Sequence, residues 1–149
     1  MLTKKQQTWL VSAIVLLALL VDQVSKVYVK THFELGEARE VFSWFWIAFV
    51  ENNGMAFGIE WFSKLLLTLF RIVAVGVIGW YIHLMIHKQQ VRTGYLTTMA
   101  MVMAGALGNI IDCVFYGKIW GYAGWFHGRV VDMLYFPLIR NAAGECVFF

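Results

Sequence analysis

Three long apolar stretches, separated by shorter polar segments, set the pattern of this chain. The first is continuous from Trp9 to Val21, and a helix there could continue to about Val29. At 1.5 Å per residue, such a helix of roughly 21 residues is about 31 Å long, enough to cross the hydrocarbon core of a bilayer. The pattern predicts three transmembrane helices, at about 9–29, 65–86 and 94–116, with loops at about 31–63 and 117–149.

The first apolar stretch has one feature of a secretory signal peptide, because Lys4 and Lys5 precede it. A signal peptide would be followed by a cleavage site of small residues. The residues that follow are instead DQVSK, positions 22–26. We therefore predict an uncleaved first span.

Two segments of the predicted loops are not helical in pattern. Residues 39–50, REVFSWFWIAFV, are rich in β-branched and aromatic residues, which favour strands, and tryptophan favours the membrane interface. Residues 130–139, VVDMLYFPLI, are too few and too interrupted to span a membrane. The predicted fold class is an all-α membrane protein, a helical transmembrane bundle with a small β element.

Composition supports a membrane protein and excludes several other classes. Of the 149 residues, 60% are hydrophobic and 14% are charged, whereas a soluble domain is about a quarter charged. We therefore predict one integral membrane domain over residues 1–149. The net charge of +3 is modest and the basic residues are dispersed, so nucleic acid is not an expected partner. Cys113 and Cys146 make no disulfide framework or metal site, although they would allow one bridge. No metal or cofactor is predicted.

The charged residues are unevenly divided between the two ends of the predicted spans. One end carries only basic residues: Lys4, Lys5, Lys88 and Arg92. By the positive-inside rule, the N-terminus and the short loop HKQQVRT, residues 87–93, are cytoplasmic. All the acidic residues then lie on the outer side: Asp22, Glu34, Glu37, Glu40, Glu51, Glu60, Asp112, Asp132 and Glu145.

Asp22 and Lys26 are the first polar pair in the predicted spans. They are four residues apart, so they share one helical face and can neutralise each other near the outer interface. A structural ion pair is the simpler interpretation. Ser25 beside Lys26 has the composition of a Ser–Lys nucleophile, but adjacent helical residues point about 100° apart, so that pair is poorly aimed.

A second polar pair lies at the outer end of the third span. Asn109 and Asp112 are three residues apart and again share a helical face. Gly105 and Gly108 lie within a turn of them, and small residues let helices approach closely. A close helix contact would account for the glycines but not for the Asn and the Asp.

Three further positions near the outer interface are candidates. Asn52 opens NNGMAFG, residues 52–58, where two amides and Gly54 predict a tight turn whose backbone lies close to another group. Arg71, early in the second span, is expected to snorkel outward or to pair with an outer carboxylate.

Asp132 is the candidate for catalysis. It follows Arg129, Val130 and Val131, and this apolar setting predicts a buried carboxylate. Two such carboxylates can share one proton, so that one acts as base to a water while the other polarises a carbonyl. This is the chemistry of an aspartic protease. No HExxH, CxxC, GxSxG or phosphate-loop motif supplies another chemistry.

Four motifs together resemble those of the lipoprotein signal peptidases, or signal peptidase II. They are DQVSK (22–26), NNGMAFG (52–58), GNIID (108–112) and GRVVDM (128–133), in the order found in that family. The resemblance implies four transmembrane helices, with a small β-cradle and a short interfacial helix on the outer face. It also implies a metal-independent aspartic endopeptidase. The implied substrate is a prolipoprotein with diacylglycerol on its lipobox cysteine, cut just before that cysteine.

The resemblance also implies roles for individual residues. The VVD aspartate, one of two catalytic aspartates in the family, maps onto Asp132. Supporting polar positions map onto Asp22, Lys26, Asn52, Asn109 and Asp112. We add Gly54, Arg71 and Arg129 as further supporting or substrate-binding candidates.

This chain departs from the family pattern in three ways. The second catalytic aspartate belongs to an FNxAD motif, which is expected beyond residue 149 together with a fourth span. We therefore expect a C-terminally truncated chain that is inactive alone. The family's usual Arg after GNxxD is replaced by Cys113, which is expected to remove a cation from the site. The stretch between Asp112 and Asp132 is longer than usual and carries an insert, IWGYAGWFHG, at positions 119–128.

Two alternative functions stay open. The first is a small transporter or channel subunit, whose intramembrane charges serve ions or protons; against it, the charges cluster at the outer end without a polar path inward. The second is a non-catalytic relative of the peptidase. For the peptidase, the expected partners are a lipid-modified prolipoprotein and membrane lipids. The expected location of such a monomer is the bacterial inner (cytoplasmic) membrane, with its active site on the periplasmic side.

Overall fold

Three long helices form the main body of the molecule. The computed structural model describes residues 2–53, 64–88 and 91–138. In this part of the chain the long helices are α1 (Lys4–His32), α2 (Lys64–Lys88) and α3 (Thr93–Ile111). Helix α3 continues through a π-helical segment, Asp112–Tyr116, into the short helix α4, Gly117–Ile119.

All three helices are long and apolar enough to cross a membrane by length and composition, and they lie where the sequence has its three long apolar stretches. Helix α1 begins five residues before the predicted start at about residue 9 because a capping box stabilises its first turn. The hydroxyl of Thr3 accepts from the backbone N–H of Gln6 at 3.2 Å, and the side chain of Gln6 accepts from the N–H of Thr3 at 2.9 Å.

A three-stranded antiparallel sheet accounts for the residues that were not helical in pattern. Strands β1 (Ala38–Phe42) and β2 (Phe45–Asn52) form a hairpin in the segment, residues 39–50, for which the sequence predicted strands. Strand β3 (Val130–Tyr135) pairs with the other edge of β2, giving the order β1-β2-β3. Within this register Glu51 lies opposite Val131, and Val50 lies opposite Asp132.

Two apolar cores lie at opposite ends of the bundle. The first joins the start of α1, the end of α2 and the start of α3, through Val11, Ile86 and Leu96. This is the basic end, because Lys4, Lys5, Lys88 and Arg92 lie on the same terminal turns and loop. The second core joins the end of α1 to the sheet and the π-helical segment, through Val29, Phe49, Tyr116 and Val131. We call this the sheet end.

The outside of the bundle is apolar. Large hydrophobic side chains such as Leu16, Phe70 and Trp80 are exposed on the helices that surround the first core. A helix that is apolar on its outer face as well as its inner face is typical of a membrane span.

Candidate active site

Lys26 lies at the centre of a buried polar network between α1 and α3. Its Nζ is 3.1 Å from Oδ2 of Asp22, 2.7 Å from Oδ2 of Asp112 and 3.2 Å from Oδ1 of Asn109. Only 3% of the Lys26 side chain is exposed, and Asp112 is fully buried. The two pairs that the sequence placed on separate helical faces therefore meet as one group.

Gly108 allows the two helices to approach at this network. A Cβ added there would collide with the carboxylate of Asp22. The same addition at Gly105 would meet nothing within 4 Å. The predicted close contact thus applies to Gly108 and not to Gly105.

Gln23 and Tyr116 complete the network and were missed by the sequence analysis. The amide Nε2 of Gln23 donates to Asp22 Oδ2 at 2.9 Å and to Asp112 Oδ1 at 3.1 Å. The hydroxyl of Tyr116 donates to Gln23 Oε1 at 2.9 Å. A polar residue directly after Asp22, inside an apolar run, was the available signal for Gln23.

Asp112 connects this network to the strand that carries Asp132. The backbone N–H of Val131 donates to Oδ2 of Asp112 at 3.1 Å. Asp112 therefore accepts from Lys26, from Gln23 and from a strand N–H. A buried ion pair is stable only when further hydrogen bonds satisfy its remaining polar atoms, and these bonds do so here.

Asp132 itself is exposed, so the prediction of a buried carboxylate was wrong. Side chains alternate between the two faces of a strand. Val131 is 2% exposed and packs into the core of the sheet end, so its neighbour Asp132 points away from that core. Asp132 forms no ion pair with any residue that the structure describes.

Arg129 belongs to a second charged group, with Glu51 and Lys30. Arg129 Nη1 lies 2.9 Å from Oε2 of Glu51, and Lys30 Nζ forms an ion pair with Oε1 of the same carboxylate. Burial raises the pKa of Glu51, but the bonds from Lys30 and Arg129 outweigh it, and the pKa lies below its ordinary value of 4.5. No local pattern in the sequence indicated Lys30 and Glu51, because these partners are far apart along the chain.

Arg71 has a different partner from the carboxylate that was predicted for it. Its Nη1 donates to Sγ of Cys113 at 3.1 Å. Cys113 is buried and free, whereas Cys146 lies outside the described residues. Position 113 carries no cation of its own, but the guanidinium of Arg71 lies beside it.

The NNGMAFG motif is only partly within the described residues. Asn52 ends β2 opposite Val130, and the side chain of Asn53 accepts from Lys64 Nζ at 3.2 Å. These contacts place the start of the motif beside the first residues of β3. Gly54, and with it the predicted tight turn, lies outside the described residues.

The site as a whole presents an exposed carboxylate, Asp132, on strand β3, and a hydrogen bond to Asp112 supports the backbone of that strand. The polar atoms of the buried network of Lys26, Asp22 and Asp112 are hydrogen-bonded to one another and to Gln23 and Val131, so the network is suited to holding structure in place. Asp132, one residue beyond the supported N–H of Val131, is accessible to a water or a substrate. Among the described residues, no group of three or more His, Cys, Asp or Glu side chains could hold a metal ion.

Comparison with known proteins identifies the family of this chain. The family model for signal peptidase (SPase) II matches residues 14–148. A lipoprotein signal peptidase of Porphyromonas gingivalis is 46% identical, and the match covers 94% of this chain and 69% of that protein. A lipoprotein signal peptidase of Amoebophilus asiaticus (strain 5a2) is 38% identical, with 92% and 62% covered.

The fold also has solved relatives. A bacterial membrane enzyme determined by the in meso method at 2.3 Å resolution has a TM-score of 0.65 and 24% identity, over 86% of this chain and 70% of that one. A second such structure, at 1.9 Å, has a TM-score of 0.60 over 86% and 74%. The chain therefore belongs to the signal peptidase II family, the lipoprotein signal peptidases, and the activity that accompanies this membership is cleavage of signal peptides from prolipoproteins.

Proposed function

We propose that this peptidase is of the aspartic type and that Asp132 is one of its two catalytic carboxylates. The observation that carries the proposal is the contrast between Asp132 and Asp112. Asp132 is exposed and without a described ion pair, while the N–H of the preceding residue is bonded to the buried Asp112. An exposed carboxylate on a fixed strand is what a reaction with water requires.

Asp112 is the less suitable partner for Asp132. Its two oxygens already accept from Lys26, Gln23 and the N–H of Val131, and it has no exposed surface. These contacts favour a supporting role. We propose that the second catalytic carboxylate comes from a segment after residue 149, in keeping with relatives that are longer than this chain.

Two carboxylates in this arrangement supply all the proton transfers that peptide hydrolysis needs. The ionised carboxylate takes a proton from water as the water oxygen forms a bond to the carbonyl carbon. The protonated carboxyl donates its proton to the carbonyl oxygen. The first carboxyl then gives the proton that it took from water to the leaving nitrogen as the C–N bond breaks. One hydroxyl of the tetrahedral intermediate returns its proton to the second carboxylate as the C=O bond re-forms, which restores both groups.

The difference in charge between the two ends of the bundle supports a proposal for the place of the reaction in the membrane. We propose that the basic end is cytoplasmic and that the sheet end faces the periplasm, in the inner membrane. The exposed apolar helices would contact lipid, and a monomer would suffice for this arrangement. We further propose that the substrate carries diacylglycerol on its lipobox cysteine, because a lipid-modified cysteine would be held at the membrane surface beside β3.

Cleavage of a lipid-modified prolipoprotein by the full-length protein tests this function. Asp132→Asn is expected to lower cleavage by about 10²–10⁴-fold, because it removes a catalytic base or acid. Glu40→Gln is the matched control, since Glu40 is an exposed carboxylate on β1 of the same sheet. Wild-type cleavage by an Asp132→Asn protein that inserts normally would contradict the proposal.

Residues 1–149 alone test the position of the second carboxylate. We expect no cleavage from this chain, because losing one half of a cooperating pair costs nearly as much as losing both. Robust cleavage that is insensitive to chelators would instead assign Asp112 as the partner of Asp132.

A further inference from the structure

Lys30 is the centre of a second charged group, separate from the Lys26 network. Its Nζ pairs with Glu51 and lies 5.4 Å from the ring centroid of Phe49, 5.3 Å from that of Trp120 and 5.4 Å from that of Tyr122. The side chains of Lys30 and Glu51 are only 11% and 9% exposed. The attraction between a cation and aromatic faces strengthens when water is excluded. Lys30 therefore joins the end of α1 to β2 and to the chain after α4.

Arg129 belongs to the same group, because it contacts both Glu51 and Tyr122. Its guanidinium lies 5.0 Å from the ring centroid of Tyr122 and bonds to Glu51 at 2.9 Å. Its backbone N–H donates to the Tyr122 hydroxyl at 2.7 Å. Tyr122 and Glu51 thus each contact both cations. We call Lys30, Glu51, Tyr122 and Arg129 the clamp.

The clamp holds a segment that is also fixed to the end of α3. The backbone N–H of Gly128 donates to the carbonyl of Cys113 at 2.8 Å, and that of Phe126 donates to the carbonyl of Val114 at 3.1 Å. A Cβ at Gly128 would collide with the carbonyl oxygen of Asp112, so the backbone passes too close for any other residue. Residues 120–129 therefore form a constrained connection that leads directly into β3.

The clamp lies beside the first residues of β3. Glu51 lies opposite Val131 in the sheet, and Arg129 directly precedes the first residue of the strand. Asp132 lies three residues after Arg129. A change in the position of Arg129 or Glu51 would therefore be transmitted to Asp132 through a short, extended backbone.

We propose that Lys30, Glu51, Tyr122 and Arg129 are positioning residues for signal peptide cleavage, which hold Asp132 in the orientation that the reaction requires. This inference rests on the proposed catalytic role of Asp132, and it gives the 119–128 insert a function. The four residues act through the backbone of β3 and do not contact the scissile bond. Their loss should therefore lower kcat and leave KM nearly unchanged.

Steady-state kinetics of the full-length protein test the clamp. Glu51→Gln and Lys30→Met are expected to lower kcat by about 10- to 100-fold, the scale of a misplacement of about 1 Å. Lys30→Arg, which keeps a cation beside the rings and Glu51, should restore most of kcat. The matched control is Glu37→Gln. Glu37 pairs with Arg39 at 2.6 Å, and Arg39 lies 4.1 Å from the Phe33 ring centroid, away from β3.

Tyr122→Phe keeps the inference testable if Glu51→Gln does not fold. It retains the ring under both cations and removes only the hydroxyl that accepts from Arg129. A lowered kcat in this folded variant supports the clamp. Wild-type kcat in both Glu51→Gln and Tyr122→Phe would overturn it, as would a raised KM at unchanged kcat, which would indicate direct substrate contact.

Asp132→Asn, measured in parallel, separates the two proposals. If Asp132→Asn stays active, the proposed catalytic role of Asp132 fails, and the clamp then has no catalytic residue to position. If Asp132→Asn is inactive while Glu51→Gln and Tyr122→Phe both keep wild-type kcat, only the positioning role fails.

Discussion

The backbone N–H of Val131 donates to Oδ2 of Asp112 at 3.1 Å, which ties strand β3 to the end of α3. The same carboxylate oxygen lies 2.7 Å from Nζ of Lys26 on α1. One oxygen atom thus connects two membrane-spanning helices to the strand on which Asp132 is the next residue. Asp132, which is exposed, directly follows Val131, whose backbone N–H is bonded to the buried network.

Breaking the Lys26–Asp112 pair should destabilise the fold strongly. Lys26→Met leaves Asp22 and Asp112 without their common cation, and Asp112→Asn removes the nearer carboxylate charge. Leaving a buried charge without its partner typically costs about 3–5 kcal/mol, which is the cost expected for Lys26→Met. Asp112→Asn should cost less, because Lys26 keeps Asp22 as its partner. Chemical unfolding in detergent measures this cost for each single variant and for the double variant. The double variant should lose less than the sum of the two singles, and strict additivity would show that the pair is not coupled.

Gly108 and Gly105 offer a matched pair of substitutions on one helix. Gly108→Ala should destabilise the protein by about 1–3 kcal/mol, because the new methyl group would force the Asp22 carboxylate away from Lys26. Gly105→Ala should be neutral or stabilising by up to about 1 kcal/mol, since its surroundings are open and alanine favours helix. Thermal unfolding of the two variants side by side checks this. Equal effects would show that the close approach at Gly108 does not matter.

The long helices and the first strands could be predicted from sequence because their signals are local. Apolar runs of helical length predicted α1, α2 and α3, and aromatic and β-branched residues predicted strands where β1 and β2 lie. The spacing of four also predicted the ion pair of Asp22 with Lys26. It could not show that Asn109 and Asp112 meet the same ammonium, because that contact depends on how α1 and α3 pack.

No local pattern in the sequence could predict the long-range contacts at the sheet end. Lys30 and Glu51 come together only when β2 packs against the end of α1, and Arg129 joins them from a third element. The apolar neighbours of Asp132 predict a buried side chain, whereas the structure shows that it is exposed. Strand alternation, which places Val131 inside and Asp132 outside, decides the outcome instead.

The stability supplied by Glu51 should depend on pH. Lys30, Arg129, Lys64 and Tyr122 face this carboxylate, and its pKa lies below the ordinary value of 4.5. A lowered pKa means that its contribution is complete above about pH 4.5 and is lost as the pH falls through the pKa of the folded protein. The stability advantage of wild type over Glu51→Gln, measured by thermal unfolding, should therefore shrink below pH 4.5. An advantage that grows on acidification would contradict this sign.

The proposed orientation of the bundle predicts which positions an impermeant thiol reagent can reach in intact cells. Cysteines introduced in a background with Cys113 and Cys146 replaced by serine report this directly. Lys118→Cys and Arg39→Cys, near the sheet end, should be labelled from outside, and Lys88→Cys, at the basic end, should react only after the membrane is opened. Labelling of Lys88→Cys from outside, with none at Lys118→Cys, would reverse the topology.

The Asp22→Asn variant distinguishes a supporting role of Asp22 from a catalytic one. Because Asp22 pairs with Lys26 inside the buried network, Asp22→Asn should weaken assembly or substrate handling more than it slows the chemical step. Complete loss of turnover in an Asp22→Asn protein that folds and binds substrate normally would show that its role is catalytic.

The most direct test of Asp132 is a single-turnover measurement on the folded full-length protein with substrate already bound. The rate of product formation per folded molecule should fall by about 10²–10⁴-fold in Asp132→Asn, while substrate binding stays near that of wild type. A wild-type rate of product formation in Asp132→Asn would contradict a catalytic role for this carboxylate.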